Sequence, residues 1–335
     1  MEELDTPVAV VDLERVDRNL ERWQAYCDRV GLANRPHVKT HRSVTIARRQ
    51  VELGAVGITC QKLGEAETMA DAGLTDVLIA YNILGEAKLG RLAALLERAT
   101  VRVTVDDEAL LPGLSRAAAR RQLGVLVDCD TGLGRTGVAT PERAAELARA
   151  VERTANLRFD GYFSYPTPPG GKEFLEAASA LLEPRVVSVG GTPTMWDAGE
   201  LRPTVTEYRA GLYAFHDRAS VAAGAATLDD VALTIRATVV SRPAPDRAVL
   251  DAGSKALSSD PGPDEGFGTI LDAPGAAIEK LNEEHAYVRL NGESLELGEQ
   301  VSVVPNHACV VANLFDELAL VGGGTLRVDA RGRSR

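Results

Sequence analysis

The chain has 335 residues, of which 45% are hydrophobic, 25% charged and 4% aromatic, and its formal net charge is −11. These values describe an ordinary globular protein too long for one small core. The acidic balance, without any Lys/Arg-dense face, argues against a nucleic-acid partner. No run approaches the ~20 apolar residues of a membrane-spanning helix. The N-terminal MEELDTPVAVVDLERVD carries acids where a secretory leader needs a basic start, and Cys27, Cys60, Cys129 and Cys309 form no disulfide or CxxC pattern. A reducing, cytoplasmic setting is therefore expected.

From about residue 8 to 215, short β-rich runs alternate with helical stretches. Strands are predicted at 8–12 (VAVVD), 37–40 (HVKT), 55–60 (AVGITC), 76–81 (DVLIAY), 102–106 (RVTVD), 124–130 (GVLVDCD), 159–163 (FDGYF) and 186–190 (VVSVG). Between them lie Ala/Leu/Glu/Arg segments such as PERAAELARAVERT, which opens on a proline suited to the first helical position. About eight β–α repeats over ~200 residues point to a closed (β/α)8 TIM-type barrel. An open doubly wound sheet is the alternative, but the first β–α turn carries no GxGxxG. Near residue 229 the texture changes to VALTIRATVVSR, RAVLDAGS, HAYVRL, QVSVVP and LALVG, separated by Gly/Pro/Asp turns. This predicts a C-terminal antiparallel β domain, with a long loop at 258–268 (SSDPGPDEGFG). The expected domains are 8–228, a barrel, and 229–335, the β domain, which residues 1–7 are able to join.

Two stretches carry chemistry. In RPHVKTHRS, Lys39 stands between His37 and His41 at the end of an early predicted barrel strand. That end of a barrel is its catalytic face, and a partly desolvated lysine there can act as an amine nucleophile and form a Schiff base. A structural lysine paired with a carboxylate is the plainer reading. The Gly-bearing turns VSVGGTPT (187–194) and RAGLYAF (209–215) fall at the last two β–α positions, where barrels often bind phosphate. An early Schiff-base lysine and a late phosphate cradle form the layout that pyridoxal phosphate (PLP) needs. In VSVVPNHACVVANLFDE, His307 and Cys309 are two residues apart, and on a strand they would share a face. An imidazole and a thiolate together suit zinc, although two protein ligands leave a site unusually open, and a core cysteine beside a polar histidine remains the alternative. Glu284 and His285 in LNEEHAYVRL read as a polar turn or as orienting groups.

PHVKTHRS, GAVGITCQKLGEAE, DAGSKALSSD, EEHAYV and VPNHACVVANLFDE resemble the D-threonine aldolase / D-serine dehydratase-like enzymes. These are fold-type III PLP proteins related in architecture to alanine racemase. The resemblance covers nearly the whole chain, with the motifs in order. It implies a PLP barrel, a C-terminal β domain, a divalent metal, a small D-amino acid substrate and a homodimer. Residue by residue, it makes Lys39 the PLP lysine and Arg135, in DTGLGRTG, the arginine at the phenolic oxygen of PLP. It places Ser188, Gly191, Thr192, Gly211 and Tyr213 in segments like the phosphate cradle, and His307 and Cys309 as the metal pair; Tyr165 is the candidate at the cofactor ring, with Tyr162 the alternative. The family's pair is His-x-Cys in D-serine dehydratases and His-x-Asp in well-known D-threonine aldolases. The cysteine here favours zinc over manganese or magnesium.

There is one departure. Family members commonly carry YPGH, whose histidine resembles the aldolase's base for the substrate hydroxyl; here the text is SYPTPPGG (164–171). That leaves metal-bound water, His41 or another base to take the proton. The activity implied is a lyase acting on D-β-hydroxy amino acids. Retro-aldol cleavage to glycine and an aldehyde stands ahead of β-elimination to a 2-oxo acid and ammonia. A non-catalytic PLP carrier is the alternative from another class.

Overall fold

A computed structural model of the chain describes residues 4–166 and 170–335. Its contacts divide the chain into two compact units. One comprises Trp23–Lys39, Val44–Gly211 and Gly332–Arg335; the other gathers the N-terminal segment through Arg22, Thr40–Ser43 and Leu212–Arg331. This division differs from the expected boundary. The predicted first barrel strand, β1 (Val8–Val11), pairs antiparallel with β10 (Leu233–Ala244) and parallel with β16 (Glu317–Leu320), inside the second unit. Its burial alternates along the strand, as on a sheet with one covered face.

The first unit is a parallel barrel of eight strands: β2 (Ala33–Asn34), β3 (Ile58–Cys60), β4 (Asp76–Ile79), β5 (Thr100–Val105), β6 (Leu123–Cys129), β7 (Leu157–Ser164), β8 (Val186–Val189) and β9 (Glu207–Tyr208). The order is β2-β9-β8-β7-β6-β5-β4-β3. All seven residues of β6 are buried, as expected of a strand covered on both faces. The barrel closes through the residues after β2. Arg35 N and His37 N donate to Tyr208 and Ala210 on one side, while His37 bridges Thr59 in parallel on the other. The predicted strand at 37–40 is thus displaced: pairing ends at Val38, and Lys39 lies in the turn that follows. Pro36, lacking an N–H, interrupts a regular ladder here. The eighth strand, β9, has two residues, too few to display a period in sequence.

The second unit is a nine-stranded sheet in the order β13-β14-β11-β10-β1-β16-β17, with β15 pairing β10 and β12. Its other strands are β11 (Arg247–Leu250), β12 (Thr269–Ile270), β13 (Ala277–Leu281), β14 (Ala286–Arg289), β15 (Gln300–Val304) and β17 (Thr325–Arg327). Pairing is antiparallel except between β1 and β16. The stretch 258–268 contains no helix or strand. Among the described residues, no helix is long and apolar enough to cross a membrane.

Gly161 shows how tightly the barrel strands are seated. It lies in β7 at φ 154, and a Cβ there would overlap the Val186 carbonyl oxygen of β8. Gly161→Ala must part β7 from β8 to fold, so urea unfolding is expected to show a loss of about 3 kcal/mol or more. An unchanged midpoint would contradict this strand contact.

Candidate cofactor and metal sites

In the barrel unit, the Lys39 turn is held by a histidine that the sequence marked only as a neighbour. His37 Nδ1 accepts the Lys39 N–H at 3.3 Å, which places the ring proton on Nε2, 3.1 Å from Gln61 Oε1. Gln61 in turn donates to the Ala80 carbonyl at 2.7 Å, just past β4. Lys39 is half-buried, and among the described residues its ammonium has no carboxylate at ion-pair distance. A structural lysine would have such a partner.

The late Gly turns divide. Gly190 packs on the backbone of Arg209, where a Cβ would stand 2.7 Å from the Arg209 carbonyl oxygen. Gly191 has φ 134, and Tyr208 Oη donates to its carbonyl at 2.8 Å. Met195 N donates to the Thr192 carbonyl at 3.2 Å and begins the short 3-10 helix Met195–Leu201. The N–H groups of Gly191, Thr192 and Gly211 donate to no acceptor among the described residues. Backbone donors left free just past two paired strands, β8 and β9, fit a phosphate. Ser188 does not join them, contrary to expectation. It is fully buried, donating to Glu207 Oε1 at 2.6 Å and accepting from Arg209 Nη1 at 2.6 Å. Tyr213 is 1% exposed, in the turn Leu212–Ala214.

Arg209 was not singled out from sequence. Its guanidinium lies 3.6 Å over the Phe163 ring and donates to the Ser164 carbonyl at 2.9 Å as well as to Ser188. Burial lowers its pKa to about 10 against the pull of Glu207 and Asp128, so it remains a cation at neutral pH. Behind it, Glu207 accepts from Arg35 Nε at 2.6 Å, and Arg35 Nη1 donates to Asp76 at 2.6 Å. The sequence signal was only an arginine two residues before Gly211.

On the opposite side of the strand order, Asp130 accepts from the N–H groups of Gly132 and Gly134, which folds the DTGLGR loop and holds its carboxyl below the ordinary value. Arg135 at the end of that loop is exposed, 5.2 Å from the Tyr165 ring. A Cβ built on Gly191 would stand 3.6 Å from Tyr165 Cε2, so Arg135, Tyr165 and Gly191 lie near one another. Residues 167–169, where the expected histidine is missing, lie outside the described residues. Asp128 is 7% exposed and accepts from Thr136 at 2.8 Å.

In the second unit, His307 precedes the helix Ala308–Ala312, so His307 and Cys309 are not on a strand. β15 stops at Val304, before Pro305. The helix start brings the two side chains together nonetheless. Hydrogen bonding with Cys309, then with Asp260, raises His307 to about 9. Asp260 Oδ2 lies 2.7 Å from His307 Nδ1, and the Thr40 hydroxyl 3.2 Å from Cys309 Sγ. The buried Asp217 carboxylate caps the same helix through the Ala308 N–H at 3.0 Å. With Nδ1 occupied, the imidazole offers Nε2 beside a thiol, a nitrogen–sulfur pair that fits zinc. Among the described residues no group of three or more His, Cys, Asp or Glu is gathered for a metal.

His41 is corrected. It is 0% exposed, its Nδ1 accepts the Ser43 N–H at 3.1 Å, and its ring meets Phe215 edge-on. A ring sealed in the core cannot reach a substrate hydroxyl. Glu284 pairs with Lys255 at 2.6 Å and His285 is exposed, so that segment is a polar turn.

The two units together are the architecture of alanine racemase-like proteins. The family described as "Alanine racemase, N-terminal domain" matches residues 11–219, and "Putative serine dehydratase domain" matches residues 232–321. D-threonine aldolase of Arthrobacter sp. is 34% identical, over 99% of this chain and 94% of its own. The crystal structure of D-threonine aldolase from Filomicrobium marinum superposes with a TM-score of 0.86 at 34% identity, covering 98% of this chain and 96% of that one. D-threo-3-hydroxyaspartate dehydratase from Delftia sp. HT23 gives 0.86 at 31% identity, with 97% of both chains covered. The chain belongs to the D-threonine aldolase / D-serine dehydratase-like family.

Burial raises Asp128 from 3.8 to about 6, with Asp106 adding to the effect. The folded state therefore holds this proton more tightly than the unfolded chain does. The contribution to stability is present below pH 3.8 and is lost as pH rises through about 6. Asp128→Asn, which keeps an acceptor for Thr136, is expected to unfold at higher urea than wild type above pH 6. The gap should open between pH 4 and 6 and reach about 3 kcal/mol. Curves that stay parallel across that range would refute the burial of a charge here.

Proposed function

We propose that this protein is a PLP- and divalent-metal-dependent lyase for D-β-hydroxy amino acids, and that it cleaves them by a retro-aldol reaction to glycine and an aldehyde. The observation that carries this reading is Lys39: an amine without an ion-pair partner among the described residues, in a turn fixed by His37 at the end of a barrel strand. The unpaired N–H groups of Gly191, Thr192 and Gly211 support it, as does full-length likeness to D-threonine aldolase. Bound there, PLP supplies an electron sink for the bond broken at the substrate α-carbon.

The chain's own residues then divide the work. Lys39 Nζ would hold the cofactor as a Schiff base, and Gly191, Thr192 and Gly211 would hold its phosphate. Arg135 and Tyr165 would contribute to holding it, and buried Arg209 provides a fixed cation in a dry part of the barrel. In the second unit, His307 Nε2 and Cys309 Sγ would hold the metal, zinc before manganese or magnesium. A metal held there would act as a Lewis acid on a substrate hydroxyl, whose proton would pass to water at the open metal site. The same reading makes the protein a cytoplasmic homodimer. The metal pair counts against a carrier without chemistry.

A second reading is favoured by two observations: no histidine follows Tyr165-Pro166, and His41 is buried. Without that base, β-elimination asks of the chain that Lys39 Nζ remove the α-proton while hydroxide leaves; the released enamine, as its imine, is then hydrolysed by water to a 2-oxo acid and ammonia.

Incubating the protein with D-threonine and PLP, with zinc, manganese or a chelator, and reading products by NMR separates the two. Glycine and acetaldehyde are expected; 2-oxobutanoate and ammonia would establish elimination instead. Lys39→Ala is expected to lose both turnover and the visible absorbance of bound PLP, and retention of both would overturn the site. Cys309→Ala is expected to lower the metal content of the purified protein, and unchanged content would remove the pair from metal binding.

A further inference from the structure

We propose that Asp260 is a positioning residue for the metal site. It holds the His307 ring by Nδ1, so that Nε2 and the Cys309 thiolate are presented to a divalent cation together. The inference rests on the reading of His307 and Cys309 as metal ligands.

The contact is built rather than incidental. Asp260 lies in the stretch 258–268, which has neither helix nor strand to fix it. Three groups do so instead. The Ser258 hydroxyl accepts the Asp260 N–H at 3.3 Å, with Ser258 itself in a left-handed conformation at φ 62. Asn306, 2% exposed, donates through Nδ2 to the Asp260 carbonyl at 3.0 Å and to the Gly266 carbonyl at 2.9 Å. Asn306 Oδ1 is in turn fixed by Arg218 Nη1 at 2.6 Å. The residue next to the histidine thus clamps the loop that carries the carboxylate, at two points. Loop and imidazole cannot move independently. The 2.7 Å contact between Asp260 Oδ2 and His307 Nδ1 is the consequence.

An isolated, part-exposed ion pair would be worth little. Here the value lies in orientation. A carboxylate on one imidazole nitrogen fixes the ring, selects which nitrogen is left for a metal, and makes that nitrogen the better donor. Such a device matters most where few protein ligands share the ion, since each misplaced donor is then a larger fraction of the site. Asp217 works on the same helix from the other direction. It caps the Ala308 N–H and so sets where the helix carrying Cys309 begins.

The test is zinc affinity of the PLP-loaded protein, measured by competition with a chromophoric chelator, together with the spectrum of the cobalt(II)-substituted protein. Asp260→Ala is expected to bind zinc about 10–100-fold more weakly, with the absorbance of bound PLP unchanged. Asp260→Asn, which still accepts from Nδ1–H, is expected to recover most of that loss, with the cobalt bands at the wild-type positions. Wild-type affinity in Asp260→Ala would overturn the proposal. So would shifted cobalt bands with Asp260→Asn as weak as Asp260→Ala, because Asp260 would then be a ligand itself. His307→Ala is the control for the underlying reading: if it binds zinc as tightly as wild type, the metal assignment fails and not merely the role of Asp260.

Discussion

The closure of the barrel at residues 35–38 is the constraint on which the rest of the first unit depends. That short segment is gripped from both sides, by the carbonyls of Tyr208 and Ala210 and by Thr59. Backbone groups buried in a barrel have no water to turn to, so each must find a partner across the seam. Once they have done so, the chain must leave the sheet at Lys39. The position of the amine thus follows from the pairing of its neighbours, and His37 completes it by accepting the Lys39 N–H.

Beneath that seam runs a polar chain through an otherwise aliphatic interior. Asp76 opens β4; Arg35, Glu207 and Ser188 follow; Arg209 ends the chain just past β9. Buried charges are expensive to desolvate, and well-packed apolar residues often give equal or greater stability. What the chain provides is a fixed orientation for the Arg209 guanidinium, stacked on Phe163 and bonded at two further points. Asp128 belongs to the same pattern. Its carboxyl is held at a cost near two cationic groups, Arg135 and Arg209, that stabilise its charge. Groups retained against the interest of stability mark where a fold serves chemistry.

The second unit solves a different problem with the same means. A helix start, not a strand, brings His307 and Cys309 together, and it is fixed by Asp217 at the Ala308 N–H. A loop without regular structure supplies Asp260, held in place by Asn306. Thr40, the residue after Lys39 in the chain, reaches Cys309 within this unit. Consecutive residues of one short motif therefore serve the two compact units.

The parallel barrel, the mostly antiparallel sheet and the family were legible in the amino-acid sequence, which also offered Lys39, Arg135, Gly191, Thr192, His307 and Cys309 as the residues of the proposed site. Long apolar runs such as β6 and motif-bearing turns are local patterns, and local patterns survive in a one-dimensional text. The tertiary structure alone decided that VAVV at 8–11 belongs to the second sheet, because an alternating strand and a doubly covered one look alike when four residues long. It alone showed β9, too short to have a period, and turned Ser188 toward Glu207. It also sealed His41 in the core and raised Arg209 and Asp260 to importance. Each of these depends on contacts across many residues of chain, 47 between Asp260 and His307 and 21 between Ser188 and Arg209. Burial and partnership are properties of the packed chain, and no residue carries them in its own identity.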